Sequence, residues 1–138
     1  MKEGWKALES RRFVIPNLPP SCNSIYQIIF HQRRVEMKPE VRKWKTQAKE
    51  YIPRVVPFPE SQLFKLDVIF YYDFFYKNGK LKKFDSQNLL KLLCDAVAEK
   101  GGFSDELIKF GSWESYHDSK EQVEGILSQV GESPGDGF

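Results

Sequence analysis

The sequence predicts an α+β domain, a small mixed or antiparallel sheet served by two main helices. Three observations carry that prediction. Residues 63–76 alternate apolar and polar side chains with period two, as a half-buried strand does. Residues 38–51 and 86–99 repeat apolar side chains at helical spacing, and the strand-like stretches 108–116 and 122–130 follow one another across a short polar link. At 138 residues, 41 % hydrophobic and 14 % aromatic, the chain suffices for one core and is too apolar for a disordered segment.

Taken in order, residues 1–11 read as an N-terminal lead-in, residues 12–130 as the folded domain, and residues 131–138 as a flexible tail of Gly, Pro and acids. Arg12 to Pro16 is a short strand that proline ends. Leu18 to Asn23 is a rigid polar loop, because Pro19 and Pro20 fix φ and donate no hydrogen bond. Residues 25–30 read as a second strand or a turn into one. Pro39 opens a helix from Lys38 to about Tyr51, with Val41, Trp44 and Ala48 on its buried side and Arg42, Lys45 and Lys49 along another face. Pro53, Pro57 and Pro59 then make a stiff connection.

From Leu63 to Tyr76 every even position is apolar (Phe64, Leu66, Val68, Phe70, Tyr72, Phe74, Tyr76), so one strand face packs against helices or another subunit. Lys77-Asn78-Gly79-Lys80 is a turn. In the helix at 86–99, Leu89, Leu93 and Val97 form an apolar stripe flanked by Leu90 and Ala96, and Gly101-Gly102 closes it. The last two strands, joined through His117 to Lys120, read as an antiparallel meander.

Charge is unevenly spread beneath a net +2. Residues 1–60 hold 12 basic and 6 acidic side chains (+6), residues 61–100 hold 7 and 5 (+2), and residues 101–138 hold 2 and 8 (−6). A basic N-terminal half beside an acid cluster suits a polyanionic substrate, and equally describes a solvated surface with an acidic tail. No apolar run reaches the roughly 20 residues of a membrane helix, and the first residues lack the apolar core of a secretory signal. A soluble intracellular protein with no membrane partner is therefore expected. Of the two cysteines, Cys22 and Cys94, the second lies in the leucine-rich helix and reads as a reduced, partly buried thiol. His31 and His117 do not make a zinc pattern with them.

The functional signal lies between Asp85 and Glu106. On a helix Asn88, Lys91 and Asp95 share one face at spacings of three and four, opposite the leucine stripe. The turn at Gly101-Gly102 returns Asp105 and Glu106 toward the same helix. Each residue alone has an ordinary structural use: Asp85 as a helix N-cap, Lys91 and Asp95 as a surface ion pair, Asp105-Glu106 as a polar loop. Together, carboxylates beside a lysine are what holds a divalent metal against a phosphate. Mg²⁺ takes oxygen ligands and keeps several waters, so two or three carboxylates suffice.

Asp85-x-Gln87-Asn88-x-x-Lys91-x-x-x-Asp95, followed by Phe103-x-Asp105-Glu106, resembles the RusA family of Holliday-junction resolvases. That family carries Asp-x-Asp-Asn-x-x-Lys-x-x-x-Asp here and an Asp-Asp pair after a glycine-containing turn. Pro19-Pro20-Ser21-Cys22-Asn23-x-x-Tyr26 is similar to its N-terminal Pro-Pro-Ser-x-Asn-x-x-Tyr signature, and residues 38–44 to the entry into its first helix. The resemblance spans about residues 12–130.

The resemblance implies a RusA-like α+β homodimer that uses Mg²⁺, with Mn²⁺ as a substitute, to resolve four-way DNA junctions by paired symmetric cuts in recombination and repair. It implies a cytoplasmic, nucleoid-associated setting in a bacterial or phage-infected cell. Asp85, Lys91, Asp105 and Glu106 take the catalytic positions. Asp85, Gln87 and Asp105 and/or Glu106 would face the metal, supported by Asn88 and Asp95. Gln87 departs from the family's second catalytic Asp, and removes a full negative charge. The implied alternative is a branched-DNA-binding dimer weakened or inactive in hydrolysis; a phage interaction protein with no DNA role is the third reading. Asn23, Arg33, Arg34, Lys38, Arg42, Lys45, Lys82 and Lys83 are the candidate DNA contacts; Lys49, Lys77 and Lys80 lie among them.

Overall fold

The computed structural model describes residues 5–18, 26–29, 34–55, 63–83 and 86–132; at 5–8, 26–29, 34–36, 86 and 132 it describes the backbone alone. The elements run β1 (Trp5–Ile15), β2 (Tyr26–Ile29), β3 (Arg34–Met37), α1 (Pro39–Ala48), β4 (Leu63–Tyr72), α2 (Ser86–Gly101), β5 (Ile108–His117) and β6 (Gln122–Glu132). The α+β class is as expected: a four-stranded mixed sheet, order β1-β6-β4-β5, carries two helices, and β2 and β3 form a separate antiparallel ribbon.

The sheet has one face packed under the helices and one largely open face, on which Ser128 and Val130 of β6 are nevertheless buried. Phe64, Leu66, Val68 and Phe70 of β4 are buried at alternate positions, as the period-two pattern requires. Phe13 and Ile15 of β1, with Val123 and Leu127 of β6, extend the same layer, and Val41, Trp44, Ala48, Leu93 and Val97 cover it from α1 and α2. Trp44 Nε1 donates to the Asn17 carbonyl at 3.1 Å, tying α1 to the end of β1. The ring of Phe13 lies where a Cβ on Gly125 would fall, so a larger residue there would force the ring to move. On the open face Tyr71 stacks beside Tyr116 at 5.9 Å, and Glu124 accepts from Arg12 Nε at 2.5 Å and from the Tyr71 hydroxyl at 3.2 Å.

Five strands differ from expectation. β1 begins at Trp5, within what reads as a lead-in, because β6 supplies a partner as far as Glu132. The ribbon strand β3 has no sequence counterpart. β4 stops at Tyr72, where the Asp73 carboxylate takes the Phe75 N–H at 2.9 Å and turns the chain. The final meander is absent: β5 runs parallel to β4, β6 runs antiparallel to β4 on its other side, and β5 and β6 do not pair. The link after β5 arches over the end of β4, where Asp118 N donates to the Tyr72 carbonyl at 3.0 Å. β6 reaches Glu132, into the segment expected as a tail; residues 133–138 lie outside the described residues.

Candidate functional site

Helix α2 is the platform. Its apolar side buries Leu90, Leu92, Leu93, Ala96, Val97 and Ala98, with Leu89 half-buried. The buried stripe leaves Asn88, Lys91 and Asp95 together on the polar side, at spacings that return to one face. The helix ends where Gly102 adopts φ +73°, and the N–H groups of Gly102 and Phe103 both reach the Ala98 carbonyl, at 2.9 and 3.1 Å. Phe103 then stacks on Phe64 with ring centroids 4.3 Å apart. That anchor folds the chain back, and Asp105 opens a single 3-10 turn, Asp105–Leu107, capped by Ser104 Oγ accepting from the Glu106 N–H at 3.4 Å.

The return brings Asp105 against α2. Cys94 Sγ lies 3.9 Å from the Asp105 carbonyl oxygen. Burial and the neighbouring Asp105 and Asp95 carboxylates push the Cys94 thiol up to about 11, which keeps it protonated and unreactive near neutrality. Asp95 is held above the usual aspartate range first by burial, then by Asp105 and Glu99; Lys45 and Lys91 oppose the rise. Three carboxylates (Asp95, Asp105 and Glu99) and two ammonium groups (Lys45 and Lys91) thus share one electrostatic neighbourhood.

Glu99 continues the Asn88-Lys91-Asp95 face four residues on, and a spacing argument carried one turn further would have found it. Its carboxylate binds Lys45 Nζ at 2.9 Å and Lys49 Nζ at 2.5 Å, locking α1 to α2. Burial works against the charged form of Glu99, but hydrogen bonds from Lys49 and Lys45 outweigh it and hold the group below its ordinary range. Lys45, expected to reach DNA, is therefore engaged in this bridge, with its side chain 13 % exposed.

The remaining candidates are spread more widely. Gln87 and Lys91 are exposed on α2, and Gln87 stands two turns, about 12 Å, along the helix from Asp95. Glu106 is exposed on the 3-10 turn. Lys38 precedes α1, and Arg42 turns back to donate to the Met37 carbonyl at 3.4 Å. Lys82 Nζ sits 5.7 Å over the Tyr76 ring, and Lys83 is exposed. Asp85, Asn23 and Arg33, with Cys22 and His31, lie outside the described residues, and Arg34 is described by its β3 backbone alone.

Among the described residues no group of three or more His, Cys, Asp or Glu converges in a form that holds a metal. Asp105 and Glu106 of the 3-10 turn, with Asp95 on α2, are oxygen donors of the kind that Mg²⁺ takes. No helix among the described residues is long and apolar enough to cross a membrane. No protein-family model matches the chain, and no curated protein matches it.

Proposed function

We propose that the chain is a Mg²⁺-dependent, structure-selective DNA endonuclease of the RusA type, acting as a homodimer that resolves Holliday junctions by paired cuts. The observation that carries the reading is the return of the 3-10 turn, with Asp105 and Glu106, against the helix α2 that carries Lys91 and Asp95, within a stretch whose residue order resembles the RusA motif. When bound, Mg²⁺ supplies a hydroxide nucleophile and neutralises charge on the phosphate. Asp85 with Asp105 and/or Glu106 would hold it, Gln87 would assist, and Asn88 and Asp95 would support them. Lys91, exposed on α2, would bind the scissile phosphate and the negative charge that grows on it. Glu99 acts at one remove by fixing Lys45 and Lys49, and with them the packing of α1 on α2. For the dimer, support comes from β5, an edge strand that leaves Phe110, Trp113 and Tyr116 40, 48 and 49 % exposed.

A synthetic four-way junction with Mg²⁺ tests the reading. Paired nicks are expected, lost in Asp105→Asn and in Lys91→Ala. A folded protein that leaves the junction uncut across Mg²⁺ and Mn²⁺ concentrations defeats it. The neutral Gln87 favours a second reading, a dimer that holds branched DNA without cutting it. That reading predicts junction binding that weakens steeply with salt, no product in the native chain, and cutting switched on by Gln87→Asp.

A further inference from the structure

Between β4 and α2 the chain runs out into a hairpin, residues 74–83, that the candidate acid site does not use. It is stiff. Lys82 N donates to the Phe74 carbonyl at 2.7 Å, Tyr76 N to the Lys80 carbonyl at 2.8 Å and Gly79 N to the Tyr76 carbonyl at 2.9 Å. Phe75 bridges to Leu81, Asn78 Oδ1 accepts from Lys80 N at 3.0 Å, and Gly79 takes φ +85° at the tip. Its base is clamped by His117, whose Nδ1 accepts from Phe74 N at 3.0 Å and whose ring packs against Phe74 and Phe75.

A stiff hairpin is expected to bury its large apolar groups or omit them. This one leaves Phe75 47 %, Tyr76 53 % and Leu81 67 % exposed, although burying side chains of this size is favourable. Strand parity sets Phe75 and Leu81 on one side, and Tyr76 with Lys80 and Lys82 on the other. Residues 74–83 include Lys77, Lys80, Lys82 and Lys83 and no acid. Aromatic rings without acids, interleaved with lysines on a rigid support, match a ligand with flat faces and regular negative charge.

We propose that the 74–83 hairpin is a stacking finger for unpaired nucleobases at a DNA branch point, with the Tyr76 and Phe75 rings taking the bases and the lysines taking the flanking phosphates. The proposal rests on the DNA reading above and adds to it a site for the exposed bases of a branch. It accounts for aromatics that neither the core nor the acid cluster absorbs. In sequence the finger ends two residues before α2, the helix that carries Lys91.

The test uses a four-way junction carrying 2-aminopurine at the branch point, whose fluorescence reports stacking. The native protein should change that signal on binding. Phe75→Ala/Tyr76→Ala should abolish the change and weaken binding about tenfold per ring, in a protein whose circular-dichroism spectrum matches that of the native chain. Lys77→Ala/Lys80→Ala should keep the signal and flatten the salt dependence by about one unit of slope per lysine. Equal signal and affinity in the aromatic double variant overturns the proposal, as does a folded native protein that binds no branched DNA. A double variant that changes sedimentation but not DNA affinity overturns it too, by assigning the hairpin to a protein partner. Cutting is scored on the same junction: stacking without cutting defeats the nuclease reading and leaves the finger, whereas cutting with an unchanged 2-aminopurine signal does the reverse.

Discussion

Asp95 is a carboxylate kept in a place that disfavours its charge. Burial, Asp105 and Glu99 raise it above its ordinary value, so the folded chain holds that proton more tightly than the unfolded chain does. The stability from this site is complete below the unfolded aspartate value, about 3.9, and is lost as pH rises through the raised folded value. At neutral pH the ionised group is a net cost. Asp95→Asn should therefore raise the melting temperature at pH 7, by a degree or two on the order-of-magnitude scale, in a calorimetric scan, while cutting falls. Added Mg²⁺ should stabilise the native chain and stabilise Asp95→Asn less. Glu99 behaves oppositely: its lysine hydrogen bonds hold it low, so its contribution is present above the unfolded glutamate value and lost as pH falls through the folded one. With Glu99 43 % exposed, Glu99→Gln should cost no more than about 1 kcal/mol in urea unfolding at pH 7. The Asn88-Lys91-Asp95 face could be read from the sequence because helical spacing is periodic. The Lys45–Glu99 bridge could not, because it depends on how two helices lie against each other.

At the scale of elements, close packing decides which residues are replaceable. Gly125 of β6 lies under the Phe13 ring of β1, and a Cβ there would meet the ring at 2.3 Å. Gly125→Ala should destabilise the fold by about 1–3 kcal/mol in denaturant unfolding, and adding Phe13→Leu should recover part of the loss. Burial in β4 and α1 was plain in the sequence, since Phe64, Leu66, Val68 and Phe70 alternate and Val41, Trp44 and Ala48 return at helical spacing. The same alternation overran the end of β4, because parity persists through the 74–83 hairpin although the sheet does not. The β5–β6 arrangement was hidden for a different reason. A short polar link usually joins neighbouring antiparallel strands, but here β4 lies between the two. What decides this is α2: a helical crossover from β4 delivers β5 parallel at the sheet edge, which leaves β4's other side for β6.

For the whole molecule, the open edge of β5 is the feature with the clearest solution consequence. Trp113→Asp should leave the thermal melt within about 0.5 kcal/mol of native, since Trp113 is 48 % exposed, yet convert a dimer to a monomer in sedimentation equilibrium. A native chain that sediments as a monomer at micromolar concentration removes the dimer from the proposal. The other edge has a consequence in time. Among the described strands β1 pairs with β6 alone, with Trp5 beside Glu132. On the ribosome β1 emerges early and waits for nearly all the described chain before it can pair. The β4-α2-β5 unit, whose contacts lie closer in sequence, can assemble meanwhile. Until β6 slides between them, β1 and β4 each present an unpaired edge. The last strand made is the one that closes the sheet, and any stall before it leaves two sticky borders facing the cell.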